Sequence, residues 1–266
     1  MTTPLREASA NLRRYLGITL QAQLAWRKPE SALKEWKRAA EAVGVLVFEV
    51  SRIPVGQMRG IAVSLRPLPI VILNGADEPS ARIFSLFHEL AHLAFNVSAI
   101  DDGSTEGEGL SAQDARTERF CNEVAGEALV PSEFVEQFLK KSSEITVDLD
   151  SVADLARQLS VSRDVVARRF LSHGRIDQTL YQKWHRHFKD EYEKFIKDRK
   201  LKAKASKSGP SFEVIQARNL SQTFVRLACD AYEQDYLSLS SVSGLLGMKV
   251  KSVFALRDLV REGAGR

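Results

Sequence analysis

Two histidines, His88 and His92, stand four residues apart in the run Phe87-His88-Glu89-Leu90-Ala91-His92-Leu93. On an α-helix that spacing puts both imidazoles on one face, one turn above the other, where they can grip a single metal ion. Zinc suits such a pair. It accepts nitrogen and oxygen ligands without imposing a geometry of its own, and a catalytic zinc keeps one position for water. Glu89, next to the first histidine, then has the chemistry of a general base. Apart from these three residues, positions 85–94 carry no charge, as expected for a helix buried beneath a metal site.

A catalytic zinc needs a third protein ligand, and no third histidine follows closely enough to supply it. Acids gather instead at Asp101, Asp102, Glu106, Glu108, Asp114 and Glu118. The first four fall in a glycine-rich loop, which positions ligands poorly, whereas Glu118 falls on the next predicted helix and can be held rigidly. Glu118 is therefore the predicted ligand. One turn on, Asn122 shares its face and is placed to accept a hydrogen bond from the outer nitrogen of a ligating histidine, fixing its tautomer. Cys121 and Cys229 are far apart, each within a helical pattern, and read as reduced thiols outside the metal shell.

The elements that must carry these residues follow from periodicity. Residues 31–43 have helical apolar spacing with Gly44 in the stop position. Three β-rich runs follow at 45–50, 60–65 and 69–73, separated by Pro and Gly, and predict a small, mostly antiparallel sheet. Asp77 and Pro79 start a helix predicted to reach about residue 96. Further helices are expected at 114–129, closed by Pro131, at 132–140, as a pair within 152–171, and as one long charged helix from 178 to about 204. The stretch KAKASKSGP, residues 202–210, has the composition of a linker. It predicts a first domain over 1–204 and a small C-terminal domain over 211–266, made of a short strand or turn and about three helices.

The run 81–93 (ARIFSLFHELAHL) and the run 118–131 (ERFCNEVAGEALVP) together resemble the ImmA/IrrE family of zinc metallopeptidases. The second run is similar to that family's Glu-x-x-Ala-Asn-x-Phe-Ala-x-x-Leu-Leu-x-Pro motif, with Cys121 in place of Ala and Val124 in place of Phe, both small apolar exchanges. The resemblance covers roughly residues 31–174. It implies an α+β zincin-like fold, makes Glu118 the family's third ligand, and implies a helix-turn-helix transcriptional repressor as the protein substrate, cut to relieve repression. Residues 60–64 are the expected strand for pairing with that substrate. Family members often carry a DNA-binding helix-turn-helix ahead of the peptidase. Here the chain begins where the connection after such a domain would be, so either it lacks one or the partner is a separate chain. A reading of another class is a non-catalytic zinc-containing regulatory module that binds a repressor or DNA.

The 266-residue chain is 44% apolar and 27% charged, enough to build a sizeable core and too apolar for a disordered or collagen-like chain. No apolar run of membrane-spanning length occurs, and the start lacks a signal peptide, so the expected location is cytoplasmic with no membrane partner. The formal charge of +4 is uneven: residues 181–207 carry ten Lys or Arg against four acids, leaving the rest of the chain net negative. Trp184, His185, His187, Phe188 and Tyr192 within that stretch read as a core stripe rather than a base-stacking platform. The 152–171 pair has helix-turn-helix spacing with Arg163, Arg168 and Arg169. Asp148, Asp150, Asp154 and Asp164 would repel phosphates there, so packing is the expected role. For residues 242–253, with Gly247 at the turn, packing and DNA binding both remain open.

Overall fold

Branched and aromatic residues dominate the runs that become strands: β1 (Leu46–Val50, LVFEV), β2 (Gly60–Val63, GIAV) and β3 (Ile70–Asn74, IVILN). The computed structural model describes residues 3–94, 112–140, 147–205 and 209–264. In it the strands form one sheet in the order β1-β3-β2. β2 pairs antiparallel with β3 (Ile61 opposite Ile72), while β1 pairs parallel with it (Val47 opposite Val71). The sheet is therefore mixed rather than mostly antiparallel. Alternation of side chains is the same in both pairings, so the sequence pattern identifies strands without fixing their direction. The short return from Val63 to Ile70 makes β2 and β3 a hairpin, and β1 takes the remaining edge of β3.

Around the sheet lie α1 (Thr3–Tyr15), α2 (Leu20–Ala25), α3 (Pro29–Ala42), α4 (Pro79–Ala94), α5 (Ala112–Leu129), α6 (Ser132–Lys140), α7 (Leu149–Leu159), α8 (Arg163–Ser172) and α9 (Gln178–Ala205). α3 begins with Pro29 at its first turn, where a missing N–H costs nothing. Trp36 from α3 is fully buried and meets Trp26 and Phe87 edge-on at ring-centroid distances of 5.0 and 4.7 Å. Ile83, Leu86 and Phe87 of α4 are buried with it. Side chains of this size contribute about 1.5–3 kcal/mol each when fully buried, so this apolar face fixes the rotation of α4 about its axis.

α1 and α2 had no counterpart in the sequence reading. They seal α5 through long-range hydrogen bonds: Arg13 donates to the Ala128 carbonyl at 2.7 Å, and the buried Gln23 amide donates to the carbonyls of Leu129 and Leu159, each at 3.0 Å. α7 and α8 pack on this core through Val152, Leu155, Leu159, Val166 and Phe170. The three arginines of α8 are engaged within the protein. Arg163 pairs with Glu191 at 2.6 Å, Arg168 with Asp164 at 3.0 Å, and Arg169 is buried against Glu127. Tyr181, Trp184 and Phe188 bury one side of α9, while Phe195 is half-exposed, so the core stripe of that helix stops short of it. Lys and Ala are good helix formers, and α9 accordingly takes in the first four residues of KAKASKSGP.

Beyond residue 208 come α10 (Phe212–Asn219), α11 (Gln222–Glu233), α12 (Leu239–Leu245) and α13 (Val250–Ala264), four helices and, among the described residues, no strand. They gather a second apolar cluster around Val225, Val242, Leu246 and Leu256. Gly247 sits between α12 and α13 at φ +62°, a conformation that costs glycine least. No single helix among the described residues is long and apolar enough to cross a membrane.

Candidate metal centre

The buried face of α4 leaves His88 and His92 on the flank that meets α5. Their Nε2 atoms converge to 3.0 Å. Glu118 of α5 closes the group, with one oxygen 3.3 Å from His88 Nε2 and the other 3.0 Å from His92 Nε2. Ligands 2.0–2.1 Å from a tetrahedral centre stand about 3.3 Å apart, so these separations match three corners around one ion. Among the described residues this trio is the group of His, Cys, Asp or Glu able to hold a metal. Burial, and then the charge of His92, lower the His88 pKa against the pull of Glu118, which favours the neutral ring that a metal requires.

Glu89 is buried beside the trio. Burial first, and then repulsion from Glu118, push its pKa up to about 7, opposed by a hydrogen bond from the Ala62 backbone. A carboxyl titrating near neutrality can both take and return a proton. β2 thus supports Glu89 directly, and Gly60 of the same strand lies so close that a Cβ there would stand 3.0 Å from the Glu89 Cγ and Oε1. Phe84, one turn before His88, stacks near that imidazole with centroids 6.4 Å apart. The i, i+4 spacing of Phe84 and His88 was visible in the sequence. The approach of β2 was not, because it depends on tertiary packing.

Asn122 stands near His88 and favours its charged form, but it does not make the expected hydrogen bond to the ring's outer nitrogen. That nitrogen, Nδ1, is buried with no hydrogen-bond partner. Cys121 is fully buried, and burial followed by the charges of Glu118 and Glu89 pushes its thiol up to about 12, far from the thiolate that binds metal. Asp101, Asp102, Glu106 and Glu108 lie outside the described residues.

A buried helix bearing two histidines, a glutamate from the helix packed on it, and a small mixed sheet alongside together define an α+β zincin-like domain with a His-His-Glu group. Residues 40–171 match the peptidase M78 family model, described as the IrrE N-terminal-like domain, and through this domain the chain belongs to the ImmA/IrrE family, a family of metallopeptidase type. The match runs from the end of α3 to the last turn of α8. A Mycobacterium tuberculosis transcriptional regulator of solved structure is similar at 16% identity and a TM-score of 0.37, over 63% of this chain and 51% of that one. The chain thus aligns with about half the length of that protein. No curated protein matches the sequence.

Proposed function

We propose that this chain is a zinc-dependent endopeptidase in which His88, His92 and Glu118 hold the metal and Glu89 is the catalytic base. The observation that carries this reading is the convergence of the three donors at 3.0–3.3 Å beside a buried carboxylate that no structural metal site needs. Zinc, when bound, supplies a Lewis acid that polarises the scissile carbonyl and makes water acidic enough to react near neutral pH. Glu89 receives the water's proton and returns it to the departing amine, a task suited to a carboxyl held near neutrality by burial. Among the described residues β2 is an edge strand, which supports its pairing with an extended peptide next to Glu89. Membership of the IrrE-like family supports a helix-turn-helix transcriptional repressor as the substrate and relief of repression as the outcome. On this reading Asn122 positions His88 once its side chain accepts from the ring's Nδ1, which has no partner in the structure.

The test compares wild type with Glu89→Gln in cells carrying the cognate repressor and a reporter. The exchange keeps both histidines and the side-chain volume but removes the proton acceptor, so zinc should be retained while cleavage falls by several orders of magnitude. Full derepression by Glu89→Gln with the repressor uncut would establish a zinc-containing binding module instead.

A further inference from the structure

A cavity of about 340 Å³ opens where α3, β1 and α4 meet α10 and α11, sharing no residue with the His-His-Glu group. Volumes of this size are typical of small-molecule sites, which run from roughly 300 to 1,000 Å³. Five cations line it: Lys34, Lys37, Arg38, Arg82 and Arg218. Three carboxylates oppose them, and two of these are already engaged. Glu49 is shared between Lys37 at 3.0 Å and Arg82 at 2.5 Å. Glu41 accepts from the backbone N–H groups of Gln222 and Thr223, at 3.3 and 2.9 Å, where α11 begins. Glu30 is the third carboxylate, and the lining is left with a net charge of +2.

Arg82 is the most informative of these side chains. It is only 7% exposed, yet its Nε is buried with no hydrogen-bond partner. An idle buried guanidinium donor is costly unless something accepts from it. At the rim, Lys34 and Arg218 are exposed, and among the described residues neither forms an ion pair. Arg38 is turned aside by Glu35 at 2.6 Å. The lining thus combines a buried guanidinium that has one unused N–H with two exposed cations that no carboxylate among the described residues engages.

We propose that this cavity binds a small phosphomonoester, whose dianion matches the +2 lining. Lys34 and Arg218 meet the phosphate oxygens, and a small shift of the Arg82 side chain turns its unused Nε–H to one of them. Guanidinium groups favour phosphate through charge-assisted, forked hydrogen bonds. The bound molecule bridges α3 and α4 to α10, and Arg82 lies on the same helix as His88 and His92, six residues before the first. The site stands independently of any peptidase activity, because its binding is read without metal or substrate.

Calorimetric titration of the full chain at fixed ionic strength tests this, with ribose 5-phosphate, inorganic phosphate and ribose as probes. The expected result is saturable binding of ribose 5-phosphate at one per chain and none of ribose. The double exchange Lys34→Ala/Arg218→Ala touches two exposed side chains and should preserve the melting temperature while weakening binding by about tenfold or more. Arg82→Lys keeps a cation against Glu49 but removes Nε, and should weaken binding as well. No saturable binding of ribose 5-phosphate, equal binding of ribose, a response to inorganic phosphate alone, or wild-type affinity in the double variant would each overturn the assignment.

Discussion

Gly60 is the position where a single added carbon separates chemistry from stability. A Cβ there would stand 3.0 Å from both the Cγ and Oε1 of Glu89, whereas ordinary contact begins at 3.4 Å. In Gly60→Ala the carboxylate must therefore retreat by a few tenths of an ångström, away from the strand whose Ala62 amide hydrogen-bonds it. Catalytic groups must be held within about 0.5 Å of their productive position, and a displacement of about 1 Å costs on the order of a hundredfold. Half of that displacement corresponds to about tenfold in kcat, or about 1.4 kcal/mol of barrier. Stability should not follow. Gly60 does not adopt the left-handed backbone that favours glycine, so alanine fits the strand and narrows the unfolded ensemble, a gain of about 0.4–1 kcal/mol that offsets the crowding. Repressor cleavage, zinc content and melting temperature measured on the same preparations should show slower turnover with the other two preserved. Wild-type turnover would refute the reasoning that Glu89, held against β2, performs the proton transfer. Loss of zinc would place the effect on the ligands instead.

Three further outcomes are expected. Elemental analysis should find about one zinc per chain and X-ray absorption a shell of nitrogen and oxygen only, with His92→Ala losing the metal; a Zn–S shell would contradict the exclusion of Cys121. Arg169 is 7% exposed and donates to Glu127, Val130 and Ser132, so Arg169→Met leaves a buried carboxylate without its cation and should cost about 3–5 kcal/mol, read by chemical denaturation; a loss under about 1 kcal/mol would show that Ser132 alone satisfies Glu127. Limited proteolysis should cut first between residues 202 and 210 and leave a folded fragment that still binds zinc, whereas first cuts within 152–171 would move the proposed domain boundary.

The site's residue types were legible because helical geometry is local. His88 and His92 share a face by spacing alone, and Glu118 stood out among six acids because it alone combined a predicted helix with a place in a recognisable motif. The same local logic found α4, α5, α6 and the α7–α8 pair within a few residues of their observed ends. It did not find α1 and α2, whose role depends on Gln23 and Arg13 reaching carbonyls more than a hundred residues away.

What the sequence determined by itself was therefore a set of residue types at a spacing: two imidazoles one turn apart, a glutamate beside them, and a helix too apolar to lie anywhere but inside. Tertiary structure decided the rest. It turned α5 so that Glu118 completes the trio, placed β2 against Glu89, made the sheet mixed, and brought α10 and α11 over Arg82 to enclose a second, cationic cavity. The physical reason is the range of the interactions. Periodicity and spacing report which face of an element is apolar, whereas the partner that covers that face is selected by packing among segments distant in the chain, and a single sequence carries no local mark of that choice.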